Sequence, residues 1–229
     1  MTPECDLYID AAQSGCENMH RDQSALELVT RNPSRSIVRI YRWETPTVSL
    51  GYFQKDDAEI DARLQHCPRV RRVTGGGAIL HDDELTYSCV LPTSHSLCRT
   101  PIEIYSVIHT AIINLLRKCG VDCSMRQDVA PIQAESTGDP FLCFLRSDPR
   151  DVVLSGAKIL GSAQRRRRGN VLQHGSILLR ASNLTPEIPG IVDLCREFRE
   201  EEFSRELPQT IAEAITDRYQ SRDWPPEQT

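Results

Sequence analysis

The sequence predicts an α+β fold in which a mixed, mostly antiparallel sheet is flanked by helices. Three observations carry that expectation. Short apolar runs with two-residue alternation recur between 36 and 92 and again between 152 and 180, separated by Pro, Gly and Asn turn signals. One long segment, 101–119, has helical periodicity with its own start and stop signals. No internal repeat or low-complexity linker divides the chain, so residues 1–229 are expected to form a single domain with its core at about 16–220.

The elements follow in order. Residues 18–30, NMHRDQSALELVT, have an amphipathic helical pattern with Asn18 at the N-cap and Met19, Leu26 and Val29 on one face. Asn32-Pro33-Ser34 ends it. In 36–43, SIVRIYRW, Val38 and Ile40 alternate with Arg39 and Tyr41, as in a half-buried strand. Thr45-Pro46 turns the chain into a strand at 47–53, and 57–64 has a short helical pattern. Residues 70–80, VRRVTGGGAIL, read as a strand interrupted by three glycines, and 85–92 completes an antiparallel group.

In the 101–119 segment, Thr100-Pro101-Ile102-Glu103 is a capping box with proline at the first helical position. Ile104, Ile108, Ile112 and Leu115 form one stripe, and Gly120 stands where a C-terminal cap belongs. Residues 126–140 have no period and contain two prolines, which predicts a loop leading to Cys143. Strands follow at 152–154, 157–165 and 171–180, the last two joined by a Gly169-Asn170 hairpin signal. Helical patterns at 188–206 and 209–220 precede a loose tail from Trp224 onward.

Composition narrows the functional classes. With 27 basic and 32 acidic side chains the net charge is −5, and a nucleic-acid binder would show a basic excess. No apolar run approaches the ~18 residues of a membrane span, and the first twenty residues have neither a basic nor an apolar signal region. The expected location is therefore the cytoplasm, with no membrane partner. Nine cysteines without framework spacing read as reduced, mostly buried thiols. Cys119 and Cys123 form a close pair with no matching second pair, so no metal site is expected.

Chemistry concentrates between Cys143 and Leu179. Cys143 is a candidate thiol nucleophile, and fifteen positions later Lys158 interrupts an apolar strand. The chain has only three lysines, Lys55, Lys118 and Lys158, so a lysine inside a strand pattern stands out. It either snorkels from a strand edge or serves the thiol. A neighbouring ammonium favours a thiolate, and it can also stabilise the oxyanion of acyl transfer. His174, in Gln173-His174-Gly175-Ser176, either orients a ligand or is a satisfied structural histidine. Arg165–Arg168 form either a solvated hairpin tip or a docking patch for acidic domains.

The second focus is Arg71-Arg72-Val73-Thr74-Gly75-Gly76-Gly77-Ala78-Ile79-Leu80-His81-Asp82. Three glycines in a strand pack nothing, so either a ligand approaches the main chain there or the backbone makes a tight bulge. No Gly-Lys-Ser/Thr sequel follows, which excludes a P-loop.

RRVTGGGAILHDDELTYS closely resembles the signature of the lipoate–protein ligase and octanoyltransferase family, which shares its catalytic fold with biotin–protein ligases. NMHRD, RIYRWETPTVSLGYFQ, SGAKILGSAQ and LQHGSILL resemble further family blocks in the same order, covering most of 16–180. The resemblance implies the biotin/lipoate ligase catalytic-domain fold, itself like that of class II aminoacyl-tRNA synthetases. Cys143-Phe144 matches the cysteine of octanoyl-[acyl carrier protein]:protein N-octanoyltransferases. That match implies an acyl thioester on Cys143, assisted by Lys158, with Arg72, Gly75, Gly76, Gly77, His81 and His174 lining or adjoining the acyl pocket.

The donor would be acyl carrier protein. The acceptor would be a lysine of a lipoyl domain of a 2-oxoacid dehydrogenase E2 component or of glycine-cleavage H protein. No cofactor is expected.

Two enzymatic alternatives stand beside this one: an ATP-dependent lipoate ligase, which would use ATP and Mg²⁺ and need no thiol, and an amidotransferase between lipoyl-type proteins. A biotin ligase is disfavoured because Thr74-Gly75-Gly76-Gly77 replaces that family's Arg-rich glycine loop. A binding module with a dead site would not need both Cys143 and Lys158. Cys195 is a rival nucleophile, set in a helical pattern that favours burial.

Overall fold

Eight strands form one sheet in the order β11-β1-β2-β6-β10-β9-β8-β7, and three more form a small sheet in the order β4-β3-β5. The computed structural model describes residues 4–55, 61–129 and 141–224. The large sheet comprises β1 (Glu4–Ile9), β2 (Arg35–Tyr41), β6 (Glu84–Pro92), β7 (Ser124–Met125), β8 (Val152–Leu154), β9 (Ala157–Arg167), β10 (Asn170–Leu178) and β11 (Tyr219–Arg222). The small one comprises β3 (Thr47–Leu50), β4 (Arg69–Arg71) and β5 (Ile79–His81). β1 pairs in parallel with both β2 and β11, whereas β2, β6, β10, β9, β8 and β7 are antiparallel in succession. The predicted α+β class with a mixed, mostly antiparallel sheet is the observed one.

Period-2 alternation sorts the two faces of the large sheet. Val38, Ile40, Leu85, Tyr87, Cys89 and Leu91 face α2 (Pro101–Lys118) and α4 (Glu200–Ile215), whose Ile104, Ile108, Ile112, Phe203, Leu207 and Ile211 complete the main core. Ile37, Val90 and Leu172 point the other way, onto Leu26 and Val29 of α1 (Gly15–Arg31). Each such buried side chain contributes about 1.5–3 kcal/mol. Cys119 and Cys123 belong to the main core, and burial raises both thiols, Cys123 to about 12.

Several elements differ from the sequence expectation. Helix α1 starts before Asn18: the N-cap is Ser14, whose hydroxyl accepts from the Glu17 N–H at 3.3 Å. Asn18 is instead buried inside the helix, donating to the Arg42 carbonyl at 3.1 Å. Ser14-Gly15-Cys16-Glu17 was itself a start signal. Thr100 is the N-cap of α2 but makes no side-chain cap bond. The 70–80 stretch is not one interrupted strand: β4 and β5 flank β3, one parallel and one antiparallel, and the glycines carry the chain across. Residues 47–53 form strand only to Leu50.

At the C-terminal end, 188–206 holds a four-residue helix, α3 (Ile191–Leu194), and the start of α4. Helix α4 continues through Pro208, because the stripe of Phe203, Leu207, Ile211 and Ile215 outweighs the ~3 kcal/mol cost of an interior proline. The expected helix to 220 gives way to edge strand β11, and Trp224 packs edge-on against Tyr8 with ring centroids 4.9 Å apart. The expected helix at 57–64 and loop at 126–140 lie partly outside the described residues; within them, Ala62–Leu64 and Arg126–Asp128 are 3-10 turns. No described helix is long and apolar enough to cross a membrane.

Candidate active site

The glycine loop is built by the three small-sheet strands and held from below by a buried cation. Gly51 follows β3 because a Cβ there would stand 2.0 Å from the Gly76 carbonyl oxygen. Gly76 has φ +92, a region that favours glycine. Above Gly75 the space is open, since a Cβ would meet nothing within 4 Å, whereas at Gly77 one would stand 2.9 Å from the Arg146 guanidinium.

Arg72 lies beneath, 1% exposed, donating to the Gly75 carbonyl at 2.9 Å, the Gly77 carbonyl at 2.8 Å and the Ser49 carbonyl at 2.7 Å. Burial lowers its guanidinium to about 10, a shift opposed by the nearby Cys143. Ser49 Oγ accepts a further bond from Arg72 and sits 2.6 Å from His81 Nε2. His81 Nδ1 is 2.8 Å from Glu84, and its ring stacks on Trp43 at 3.8 Å. Arg72, through its two terminal nitrogens, and His81, through both ring nitrogens, therefore bond to the protein and shape the loop from beneath.

His174 supports the same loop from the large sheet, with Nε2 2.9 Å from Thr74 Oγ1. Its Nδ1 is 3.8 Å from Asp22, longer than a hydrogen bond. Burial lowers the imidazole's pKa, which Asp22 only partly counters. Asp22 is itself held below the usual carboxylate range: burial alone would raise it, but Arg39, 2.5 Å away, together with His174 and Ser88 outweighs that. Position and environment make His174 a support of the loop.

Cys143 reaches this loop through an isolated bridge between Ala78 and Leu142. The Cys143 N–H donates to the Ala78 carbonyl at 2.7 Å, and Cys143–Leu145 then turn as a short 3-10 segment. Lys158 arrives from β9. Its Nζ lies 3.9 Å from Cys143 Sγ, 3.3 Å from the Cys143 carbonyl oxygen and 2.9 Å from Asp151 Oδ1.

A β-bulge makes the meeting possible. In a regular strand 158 and 161 would point to opposite faces, but the register shifts opposite Val152/Val153. The lysine stem then lies across Gly161, where a Cβ would stand 2.5 Å from Lys158 Cε. Phe144 closes one side, its ring 5.3 Å from Nζ.

Sequence reasoning missed the support behind Lys158. Asp151 is 3% exposed, and burial pushes its carboxyl up although Lys158 draws it down. Nearby, His109 Nδ1–H donates to the Arg150 carbonyl at 2.7 Å, and its Nε2 accepts from Ser162 Oγ at 2.6 Å. Ser162 accepts from the Tyr87 hydroxyl at 2.7 Å, which accepts from Gln173 at 2.7 Å. Burial lowers His109 to about 4, so the imidazole is neutral and this polarity is fixed. In the sequence His109 is one polar residue beside the apolar stripe of α2, with no motif around it.

The remaining candidates lie elsewhere. Cys195 faces the Gly120 carbonyl at 3.4 Å and Glu197 at 3.7 Å. The arginine run does not act as one patch. Arg165 stacks on Tyr52 at 3.9 Å, Arg166 donates to the Cys98 carbonyl at 2.9 Å, and Arg167 and Arg168 lie against α1. The hairpin turn itself is Arg168-Gly169, φ 51 and 76, one residue earlier than the Gly169-Asn170 expectation. A cleft is lined by Leu142 and Phe144, the residues on either side of Cys143, with Ala78, Leu80, Leu178 and Ile188 as further apolar wall and Asp82, Asp83 and Arg180 as polar rim. Ala78 and Leu80 come from the glycine motif itself, whereas Leu142, Phe144, Leu178 and Ile188 come from outside it.

A family model described as the lipoyl protein ligase A/B catalytic domain matches residues 14–212. The octanoyltransferase LipM of Macrococcus caseolyticus is 38% identical over 167 residues, 70% of this chain and 60% of that one. LipM of Staphylococcus aureus gives the same identity and coverage, 38% over 167 residues, 70% and 60%. The chain thus spans 60% of the length of these curated relatives.

Among solved structures, a bipartite lipoate protein ligase from Thermoplasma acidophilum superposes with a TM-score of 0.68 at 21% identity, covering 98% of this chain and 88% of that one. LipL1 of P. falciparum in complex with lipoate gives 0.67 at 15% identity, covering 95% and 65%. At these identities the likeness is one of fold.

Proposed function

The chain belongs to the lipoyl protein ligase A/B catalytic domain family, and from that premise we propose that it is a protein N-octanoyltransferase of lipoate biosynthesis. It takes the octanoyl group of acyl carrier protein onto Cys143 as a thioester. It then passes the group to a lysine of a lipoyl domain, in a 2-oxoacid dehydrogenase E2 component or in glycine-cleavage H protein. ATP plays no part. The observation that carries this reading is the 3.9 Å approach of Lys158 Nζ to Cys143 Sγ beside the glycine loop, with the resemblance to octanoyltransferases named LipM as support.

The chemistry balances in two exchanges. The Cys143 thiol gives up its proton to water and attacks the donor's thioester carbon; the carbonyl electron pair moves onto oxygen, where the Lys158 ammonium stabilises it. Collapse expels the carrier thiolate, which takes a proton from water. The acceptor's neutral amine then attacks the new thioester, forming the amide N–C bond. Cys143 leaves as thiolate, and the amine's proton is released. The cleft lined by Leu142 and Phe144, the two neighbours of Cys143, offers apolar wall for the acyl chain.

The test is octanoyl transfer from octanoyl–acyl carrier protein to a purified lipoyl domain without ATP. Cys143→Ser is expected to lower it by at least about a thousandfold while the protein stays folded by circular dichroism. Unchanged turnover would remove Cys143 from the mechanism. Lipoyl-domain modification only with free octanoate and ATP would replace this reading with the ligase.

A further inference from the structure

We propose that Asp151 is a positioning residue for the thiol–ammonium pair, holding Lys158 beside Cys143 while preventing the two from closing into a tight ion pair. This rests on the reading of Cys143 as the nucleophile. An ammonium has three protons to place. At Lys158 one goes to Asp151 Oδ1 at 2.9 Å and one to the Cys143 carbonyl oxygen at 3.3 Å, and the sulfur stands farther off at 3.9 Å. The distinction matters because a thiolate in tight contact with a cation is more populated but less nucleophilic; reactivity falls as thiol pKa falls. An ammonium anchored on a carboxylate also stays available to the carbonyl oxygen of an incoming thioester.

The carboxylate can act as an anchor because it is itself fixed. Asp151 Oδ2 accepts from the Asp148 N–H at 2.8 Å, and the Asp151 N–H donates to the Asp148 carbonyl at 3.0 Å. Its carbonyl accepts from the Arg126 N–H at 2.8 Å. The preceding carbonyl, that of Arg150, is held by neutral His109, the end of the polar chain through Ser162, Tyr87 and Gln173. Gly161 supplies the remaining condition by leaving room for the lysine stem.

The charged and titratable groups facing this assembly are Lys158, Arg126 (Nε 3.9 Å from Oδ2), Asp148, Arg150 and Tyr105 around Asp151, His109 beside Lys158, and Lys158 and Arg72 around Cys143. All of them persist when Asp151 alone is changed.

The experiment is alkylation of the full chain by iodoacetamide across pH, read at Cys143 by peptide mass spectrometry, for wild type, Asp151→Asn and Asp151→Glu. In Asp151→Asn the lost negative charge should move the inflection of Cys143 to lower pH by about half to one unit. The collapsed ion pair should also lower the plateau rate, and octanoyl transfer should fall about tenfold or more. Asp151→Glu keeps the charge and should keep the inflection. Loosened packing alone would expose the sulfur and raise the plateau. An unmoved inflection, a plateau equal to or above wild type, or undiminished transfer in Asp151→Asn overturns the proposal. The alkylation profile needs no acyl donor, so it decides on Asp151 whether or not the octanoyl reading stands.

Discussion

Lys158 owes its position to a side chain that is absent three residues later. A Cβ at 161 would stand 2.5 Å from Lys158 Cε and 2.9 Å from Nζ, yet 3.6 Å from Asp151 Oδ1, so the lysine alone would have to give way. Gly161→Ala is therefore expected to fold normally, since a flexible stem can move, while octanoyl transfer falls by about tenfold or more. Wild-type turnover in that variant, measured as lipoyl-domain modification, would show that the lysine's placement is unimportant. Lys158→Arg keeps the charge but replaces a compact three-donor head with a planar fork, which cannot occupy the place between Asp151, the Cys143 carbonyl and Sγ. Transfer should again drop; full activity would exclude a specific lysine role. Sequence displayed both residues in SGAKILGSAQ, but their contact depends on the bulge, which flips a face and leaves no mark in apolar alternation.

Among the elements, β9 and α2 together set the site. Two tight hairpins, turning at Ser155-Gly156 and Arg168-Gly169 with positive φ at all four residues, bring β8, β9 and β10 into register. Helix α2 contributes His109, whose imidazole stays neutral in the folded protein because burial lowers it from 6.5 to about 4. As pH falls through 6.5 the unfolded chain takes up a proton that the folded one refuses. The stabilisation is thus complete above about pH 6.5 and is lost progressively toward pH 4, by on the order of 3 kcal/mol. In His109→Gln that component of acid lability disappears. Urea denaturation of both proteins from pH 7 to 4.5 should show their stabilities converging as pH falls; parallel curves would contradict the assignment of a neutral, buried His109. The stripe of α2 was legible because its apolar spacing is local. Strands β1 and β11 were not, since each joins the sheet edge through a parallel partner distant in sequence.

Across the whole molecule, the site lies where the small sheet, the Cys143 turn and one edge region of the large sheet converge. The Thr74–Gly77 stretch, Lys158 and His174 could be picked out from the chain because each departs from its local pattern: glycines in a strand, a lysine and a histidine in apolar runs; Cys143, one of nine cysteines, stood out through the family resemblance of Cys143-Phe144. Asp151, Arg72's carbonyl contacts and the Ser162–His109 chain could not, because polar residues in loops and on helices are ordinary until folding buries them together. The same reasoning separates Arg165 from Arg166, adjacent in sequence but turned by strand alternation to Tyr52 on one side and to the Cys98 carbonyl on the other.

The central claim is that Cys143 carries the acyl group. Its most direct test is the intact mass of the protein after incubation with octanoyl–acyl carrier protein in the absence of ATP. A gain of one octanoyl group, released by hydroxylamine and absent from Cys143→Ser, is the predicted result. No adduct on the wild-type protein, or an adduct that survives in Cys143→Ser, would contradict it.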